Sequence, residues 1–401
     1  MPVTKIGIIG TGFVSRGLVG LLQQLPAFEV TSILTRRNLR ELSGFPRNEL
    51  LTNSVEELID KSEIAVECSG DVVHATEVIA QLLAAALPVV TMDAELQVTT
   101  GSYFVGQGFL TEAEGDQPGL LAAFDEEVRL MGFEPVVYGN IKGYLNHTPS
   151  AADMVYWAKK YDFTLTQAIN FTDGTKLNVE QALVANGLSA SLAREGMIGP
   201  QCDNLQDGAL ALAEIAAKTG LTLSDYILSK AAPPGVFIVA AHQEHQRRSL
   251  ATYKLGDGPF YVLFKPIHLC YFEIPKTLKR VVQGGGVLLD NSPVPHVSVS
   301  AVAKQMLPPG TVISHGIGSF QVRGEAINIS GYPDHVPIGL LQQAVVKERI
   351  DLGQRINFSD VELPDSQALQ IWRQIRSRSL RAMGPAESCG KVAADKSHLQ
   401  A

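Results

Sequence analysis

The sequence is short of cysteine and of net positive charge. Its four cysteines lie far apart, at Cys68, Cys202, Cys270 and Cys389, and this spacing matches neither a disulfide framework nor a metal-binding motif. Lys and Arg number 33 against 41 Asp and Glu, which leaves a formal net charge of -8. That sign is wrong for a surface that neutralises a phosphate backbone. We therefore expect reduced thiols in a cytoplasmic protein, and no binding to nucleic acid.

Long hydrophobic runs are also missing. The longest, at 82–90, spans about nine residues, whereas a helix that crosses a bilayer needs roughly 18. Residues 1–5 lead straight into an apolar segment, without the charged start, apolar stretch and cleavage site of a secretory signal. The sequence thus predicts neither a membrane protein nor an exported one. Its expected partners are a small-molecule substrate and further copies of the same chain, because homo-oligomers prevail among soluble proteins.

Strand-like and helix-like segments alternate in the first part of the sequence. They follow one another in the order 5–9, 17–25, 29–34, 64–68, 74–87 and 89–92. Such alternation predicts parallel βαβ units, because parallel strands need crossover connections. We therefore predict an α/β protein whose residues 1–140 form a Rossmann-type domain with a doubly wound parallel sheet.

The rest of the chain predicts further parts of different character. Helical patterns at 150–161, 179–195 and 205–219 precede apolar strands at 236–241 and 260–265, which indicates a central α+β catalytic and oligomerisation domain over 141–305. Dense Gly and Pro over 306–380 predict only short strands or irregular structure, in a small β-rich module. Residues 381–401 are small and polar without periodicity, so we predict a disordered tail there.

A glycine turn follows the first strand, in the order Gly10-Thr11-Gly12-Phe13-Val14-Ser15. Gly10 permits a tight turn, Gly12 lets the backbone approach a pyrophosphate, and the following helix N-terminus attracts the anion. Ser15 takes the third position, where the dinucleotide pattern has Gly or Ala. The candidate cofactor-binding residues are Gly10, Thr11, Gly12, Phe13 and Val14. The alternative is an ordinary junction of strand, turn and helix.

Two arginines follow the second strand, in Thr35-Arg36-Arg37. An NAD site usually has an Asp or Glu here, which accepts a hydrogen bond from the ribose 2′-hydroxyl. Guanidinium groups instead suit the 2′-phosphate of NADP. We therefore predict Thr35, Arg36 and Arg37 as cofactor residues and favour NADP, with NAD as the alternative. The arginines could also be plain solvated surface charges.

Polar residues also follow the fourth and fifth strands of the predicted sheet. Ser69 and Gly70 come after one and Asp93 after the other, so we predict that they flank the nicotinamide, because ligands bind beyond the carboxyl ends of such strands. Asp93 could instead be a helix cap. No metal site is predicted: His242 and His245 could share a helical face, but no third ligand is evident.

The central region contains candidate catalytic residues. Lys142 lies between Gly139 and Gly143, just after an apolar strand at 136–138, and a lysine there could hold a developing alkoxide. Lys176 and Glu180 are four apart on a predicted helix and share a face, which could equally be a surface ion pair. The predicted catalytic set is Lys142, Asp173, Lys176 and Glu180, and the predicted substrate-binding set is Asn140, Asn186, Lys265 and His268. For His268 a place in the core is the alternative.

Several motifs carry a family resemblance: Val89-Val90-Thr91, Gly139-Asn140-Ile141-Lys142-Gly143, Phe171-Thr172-Asp173-Gly174-Thr175-Lys176 and Glu180-Gln181-Ala182-Leu183-Val184-Ala185-Asn186. With the glycine turn, they resemble the homoserine dehydrogenase superfamily, over most of residues 1–370. They are most similar to a branch with a C-terminal antifreeze-like (SAF) module, which includes the 1-deoxy-D-xylulose 5-phosphate reductoisomerase-like enzymes. Residues 351–364 resemble the end of such a module. Homoserine dehydrogenases have an Asn-Lys pair where this chain has Asp93 and Ala94.

Residues and resemblance together lead to one main functional hypothesis. We expect an NADP-dependent oxidoreductase that transfers a hydride between nicotinamide and a small polyhydroxylated or phosphorylated carbonyl or alcohol. The resemblance adds the prospect of a reductoisomerase step, in which the carbon skeleton rearranges before hydride delivery. The alternatives are a homoserine dehydrogenase and a regulatory protein that senses a dinucleotide or a sugar without turnover.

Overall fold

The computed structural model describes residues 3–383. Its first sheet has six parallel strands in the order β3-β2-β1-β4-β5-β6. The strands are β1 (Thr4–Ile9), β2 (Phe28–Leu34), β3 (Leu51–Thr52), β4 (Ile64–Glu67), β5 (Val89–Thr91) and β6 (Leu110–Glu112). The helices are α1 (Phe13–Leu22), α2 (Val55–Lys61), α3 (Val72–Ala84), α4 (Ala94–Leu96), α5 (Ser102–Phe104) and α6 (Gln117–Leu130), with a π-helical turn at Gln97–Gly101. The predicted Rossmann-type α/β architecture is confirmed.

A mixed four-stranded sheet follows, in the order β10-β9-β7-β8. Its strands are β7 (Glu134–Lys142), β8 (Leu223–Leu228), β9 (Val236–Ala241) and β10 (Phe260–Lys265). β7 runs parallel to β8 and antiparallel to β9. The accompanying helices are α7 (Ala151–Tyr161), α8 (Leu165–Thr172), α9 (Thr175–Gly187), α10 (Leu205–Thr219), α11 (Arg247–Thr252) and α12 (Ile274–Val282).

The last region, here called the C-terminal region (297–383), contains two small antiparallel sheets and one helix. One sheet pairs β11 (Val297–Ala303) with β13 (Val322–Asn328), and the other has the order β12-β14-β15, with β12 (Val312–His315), β14 (Gln342–Val346) and β15 (Val361–Glu362). The predicted β-rich character is confirmed. The prediction of only short or irregular structure is wrong, because α13 (Gln367–Met383) is a seventeen-residue helix that buries Trp372. Most of the predicted tail, 384–401, lies outside the described residues.

Helix α9 lies at the centre of the molecule. The sequence predicts this helix at 179–195, but it begins four residues earlier, after Gly174 with φ +88, and ends at Gly187. Eleven of its thirteen residues are buried, so it has no polar face whose spacing could mark its ends. It packs against α4 and α6, against β7 and β8 of the mixed sheet, and against β11 and β13, and thereby contacts all three regions. Among the described residues, no helix is long and apolar enough to cross a membrane.

Candidate active site

The glycine turn after β1 has the geometry of a phosphate-binding loop. Gly10 has φ +108, and a Cβ there would lie 2.8 Å from the carbonyl oxygen of Cys68, so only glycine fits without strain. A Cβ on Gly12, by contrast, would meet no atom within 4 Å. Gly12 precedes α1, and no side chain caps the helix there. The first-turn N–H groups beside this open space can therefore receive a pyrophosphate.

Ser15 fills the third position of the glycine pattern without disturbing the packing. Its side chain is fully buried, and its Oγ lies 3.1 Å from Sγ of Cys68, just after β4. Burial raises the pKa of the Cys68 thiol, so the thiol stays protonated and can share a hydrogen bond with the hydroxyl. A serine is thus accommodated where the pattern has Gly or Ala, because its hydroxyl has a partner, Cys68, directly after the adjacent strand β4.

The loop after β2 presents basic side chains to solvent. Thr35 is buried and its Oγ1 lies 3.2 Å from Oγ1 of Thr11, which ties this loop to the glycine turn. Arg36 is 61% exposed and forms an ion pair with Asp71, and Arg37 is exposed. Asp71 was missed by sequence reasoning, although it is the first carboxylate after β4. The carboxylate of Asp71 therefore places a negative charge beside Arg36.

The loops after β4 and β5 are joined by a buried carboxylate. Glu67 accepts hydrogen bonds from the backbone N–H and hydroxyl of Ser69, at 2.7 and 2.6 Å, and from Thr91 at 2.9 Å. Gly70 has φ +67 and turns the loop towards α3. Asp93 caps α4 through Leu96 N–H at 3.0 Å, as the alternative interpretation expects. Burial, reinforced by Glu67 and Glu95, raises the pKa of Asp93 well above its ordinary value.

Five charged side chains meet where the first two sheets adjoin; we call them the lysine–carboxylate cluster. They are Glu95, Asp116, Lys142, Lys176 and Glu180. Nζ of Lys176 lies 2.9 Å from Oδ2 of Asp116 and 3.3 Å from Oε2 of Glu95, and Nζ of Lys142 lies 3.6 Å from Oε2 of Glu180. Three of the predicted catalytic residues are therefore brought together in space.

The fold explains how these residues converge. Glu95 follows β5 and Asp116 follows β6, so both lie beyond the carboxyl ends of the parallel strands, where ligands bind in this architecture. Lys142 is the last residue of β7. Lys176 and Glu180 lie one turn apart on α9, as their spacing predicts. The cluster thus lies where the parallel sheet adjoins the mixed sheet.

Burial and neighbouring charges tune the acidity of this cluster. Burial raises the pKa of Glu180, Lys142 and Lys176 oppose the rise while Asp116 and Glu95 add to it, and the result is a pKa of about 7. Burial acts to lower the pKa of Lys176, but Asp116, Glu95 and Glu180 outweigh it and hold that pKa well above its ordinary value. Glu180 can therefore exchange a proton near neutrality, whereas Lys176 stays charged.

Two buried groups border the cluster. Asn140, on β7, donates through Nδ2 to Oε2 of Glu180 at 2.9 Å and to Gln117, while its Oδ1 has no partner among the described residues. Glu112, at the end of β6, is fully buried, and neither carboxylate oxygen has a partner in the described part of the chain. Burial and the charge of Asp116 raise the pKa of Glu112 well above its ordinary value. Sequence reasoning missed Glu112, although it ends a strand of the parallel sheet.

Three predicted site residues lie elsewhere. Asp173 forms a buried ion pair with Lys304, 2.7 Å long, rather than joining the cluster. Lys265 pairs with Glu127 at 2.6 Å. Asn186 makes four hydrogen bonds, to Asn291 Oδ1, the Val297 carbonyl, and the N–H groups of His296 and Val297. The structure thus gives these three residues structural partners in place of the predicted site contacts.

His268 lies at the edge of the cluster, in the loop 266–273. The residue as a whole is exposed, but desolvation of the imidazole lowers its pKa. Asp116 opposes this effect and Lys142 adds to it. The same loop reaches α1, where Tyr271 packs on Gly17 and makes an edge contact with Phe13 at 5.8 Å between ring centroids. The loop therefore links the cluster to the glycine turn. Within residues 3–383, no group of three or more His, Cys, Asp or Glu side chains could hold a metal ion.

The parallel sheet with its glycine turn, and the cluster beyond its strand ends, are features of a nicotinamide-dependent oxidoreductase. Within that class, residues 115–274 match the family model of the oxidoreductase DRL catalytic domain. The matched range includes Asp116, Lys142, Lys176 and Glu180. The match supports an oxidoreductase, and it leaves the choice between NAD and NADP open.

The chain is also similar to solved dehydrogenase structures. UDP-N-acetylglucosamine 3-dehydrogenase GnnA from Acidithiobacillus ferrooxidans is 11% identical over 73% of this chain and 93% of its own, with a TM-score of 0.39. An oxidoreductase from Thermotoga maritima is 16% identical over 73% and 92%, with a TM-score of 0.38. The dehydrogenase MviM from Clostridium difficile is 12% identical over 70% and 90%, with a TM-score of 0.39. Likeness at this level does not bear on the function of this chain. No protein of curated function matches the sequence.

Proposed function

We propose that this protein is an NADP-dependent oxidoreductase that transfers a hydride between nicotinamide and a small polyhydroxylated carbonyl or alcohol. The observation that carries the proposal is the position of the lysine–carboxylate cluster. It lies beyond the carboxyl ends of β5 and β6, at the edge of the sheet along which the glycine turn would direct a dinucleotide. The open space at Gly12 and the bare N-terminus of α1 fit the pyrophosphate of such a cofactor.

The side chains of the cluster suit the proton chemistry of hydride transfer. The bound nicotinamide would supply or accept the hydride. Glu180, with a pKa of about 7, gives a proton to the nascent alkoxide in reduction and removes it in oxidation. Lys142, 3.6 Å from Glu180, stabilises negative charge on the substrate oxygen. Asn140 holds Glu180 Oε2 in place through its amide N–H.

The composition of the cluster favours a substrate rich in hydroxyl groups. Carboxylate oxygens accept hydrogen bonds from hydroxyls, and Oδ1 of Asn140 is an acceptor without a partner among the described residues. A substrate phosphate would be repelled by Glu95 and Asp116 and would therefore lie away from them. A reductoisomerase reaction extends the proposal, because Lys142 and Glu180 could also handle the protons of a rearrangement.

The homoserine dehydrogenase alternative is less favoured. The Asn-Lys pair of that family would fall at Asp93 and Ala94, and Ala94 is buried at the start of α4. The two lysines of the cluster come instead from β7 and α9. Homoserine nevertheless belongs in the panel of test substrates, because its turnover would decide the point directly.

The test is cofactor binding followed by turnover. Purified full-length protein is titrated with NADPH and with NADH while nicotinamide fluorescence is followed, and then assayed with a panel of polyols, sugars, sugar phosphates and homoserine. Turnover should fall at least about 100-fold in Lys142→Ala and Glu180→Gln with cofactor affinity retained, since acid–base groups contribute roughly 10²- to 10⁴-fold. Lys159→Ala, an exposed lysine on α7, is the matched control.

Each negative result has a defined meaning. If neither nucleotide binds, the proposed function is wrong. If NADPH binds but no substrate in the panel is turned over, the sensor alternative gains support. Turnover that survives both Lys142→Ala and Glu180→Gln would show that the cluster takes no part in the reaction.

A further inference from the structure

A cavity of about 330 Å³ lies between the loop after β4 and the C-terminal region. One wall is formed by Gly70, Asp71 and Val72, and the opposite wall by residues 314–317, 338–339 and 341–342; Thr166 also lines the cavity. The first wall is the loop after β4, at the strand ends where a dinucleotide is expected. Its Asp71 pairs with Arg36, the predicted 2′-phosphate residue, which associates this loop with the adenosine half of the cofactor and not with the nicotinamide half expected for Ser69 and Gly70. The second comes from a part of the chain more than 240 residues later in the sequence, with no role in the proposed chemistry.

A polar chain of contacts crosses this cavity. Nε2 of Gln342, the first residue of β14, donates to Oδ1 of Asp71 at 3.0 Å. Oδ2 of Asp71 carries the ion pair with Arg36. Burial acts to raise the pKa of Asp71, but Gln342, the His74 N–H and Arg36 together hold it below its ordinary value. Asp71 is therefore an anion whose partners come from two different regions of the protein.

The opposite wall is seated closely on the cofactor domain. A Cβ on Gly339 would lie 2.6 Å from Oγ1 of Thr99 and 3.2 Å from Cγ2 of Val72. A Cβ on Gly316 would lie 2.6 Å from the carbonyl oxygen of Ile338. At Gly339 the backbone therefore approaches the side chains of Thr99 and Val72 directly, whereas Gly316 packs against Ile338 within the C-terminal region itself. Contacts of this kind fix Gln342 with respect to Asp71.

We propose that the C-terminal region forms the outer wall of the adenosine subsite, and that Gln342 is a positioning residue that favours NADP over NAD. This inference rests on the proposed function. Arg36 is largely exposed and can turn from Asp71 to a 2′-phosphate, whose bidentate geometry a guanidinium matches. The carboxylate of Asp71 then loses its cationic partner. Gln342 keeps it hydrogen-bonded and directed away from the phosphate.

The inference predicts a selective loss of NADPH affinity in Gln342→Leu. Without Gln342, the carboxylate of Asp71 depends more on Arg36 and competes better with the 2′-phosphate for its guanidinium. The Kd for NADPH should therefore rise about tenfold, which corresponds to the lower end of the free energy of a hydrogen bond to a charged group. The Kd for NADH, which has no 2′-phosphate, should change by less than about twofold. Gln370→Leu is the matched control. Gln370 lies on α13, outside the lining of the cavity, and it also donates a hydrogen bond to an aspartate, Asp365, which precedes that helix.

A second variant predicts the opposite sign. Asp71→Asn keeps a good cap for α3 but removes the charge that occupies Arg36, so NADPH should bind several-fold tighter and NADH should be unaffected. Both Kd values are measured by nicotinamide fluorescence on the full chain, with thermal melting to confirm folding.

The outcomes separate the two proposals. If the wild-type protein binds neither nucleotide, the proposed function fails and this inference fails with it. If the wild-type protein binds NADPH, but Gln342→Leu changes both Kd values equally or neither, the positioning role is overturned while the proposed function stands. The same holds if Asp71→Asn weakens NADPH binding.

Discussion

Glu180 should make the stability of this protein depend on pH in an unusual direction. Its side chain is 3% exposed, and its pKa is about 7 in the folded protein against an ordinary value of 4.5. Between these two pH values the folded state keeps the proton while the unfolded chain releases it. Folding therefore loses stability as pH rises through this window, and Glu180→Gln, which cannot ionise, should escape the loss.

The magnitude follows from the two pKa values. At about 1.36 kcal/mol for each pKa unit, the rise corresponds to roughly 3 kcal/mol in the free energy of unfolding when fully expressed. Because the unfolded chain begins to ionise near pH 4.5, most of that amount, about 2–3 kcal/mol, falls between pH 5 and pH 8. The advantage of Glu180→Gln over the wild-type protein should grow by this amount across the interval, whatever its value at pH 5.

Urea denaturation at pH 5 and pH 8 measures this difference. The wild-type protein, Glu180→Gln and a control, Glu214→Gln, are compared in the same buffers. Glu214 is exposed on α10, so its variant controls for the loss of one negative charge. An advantage of Glu180→Gln that is the same at both pH values, within about 0.5 kcal/mol, would refute the reasoning, because Glu180 would then ionise alike in the folded and unfolded states.

Three further predictions concern neighbouring features. Gly12→Val should abolish NADPH binding and leave the melting temperature unchanged, because a Cβ at Gly12 meets no protein atom. Gly10→Val should lower the melting temperature, because a Cβ at Gly10 meets backbone atoms. Asp173→Leu should cost about 3–5 kcal/mol in urea denaturation by leaving Lys304 buried without its partner, and the double variant with Lys304→Met should recover most of the loss. In steady-state assays, kcat for carbonyl reduction should fall as pH rises through about 7, and kcat for oxidation should rise, as Glu180 loses its proton.

The glycine turn and the face shared by Lys176 and Glu180 could be predicted because their signals are local. Each depends on residues within a few positions of one another, where backbone geometry alone decides which atoms meet. Asp173 and Lys176 are both predicted as catalytic residues and are only three positions apart, yet their side chains have different partners. Gly174 turns the chain between the two, and Asp173 is left facing Lys304.

The contacts that complete the site could not be predicted, because they join distant parts of the chain. Lys176 meets Glu95 across 81 positions, and Gln342 meets Asp71 across 271. Glu112 was missed for another reason. It ends β6, a strand of only three residues with a single apolar side chain, and so short a segment has no periodicity to distinguish it from a loop.

The hydrogen bond between Ser15 and Cys68 has a consequence for how sequence change can proceed at this loop. The two positions form one unit: Cys68→Val alone leaves a buried hydroxyl without its side-chain partner, while the pair Ser15→Ala with Cys68→Val restores an apolar contact. Substitutions tolerated together would thus be harmful singly. A substitution at the third position of a glycine turn should therefore be interpreted together with the residue that follows the neighbouring strand. A serine at that position indicates a hydrogen-bonded pair and does not by itself indicate a loop that has lost its function.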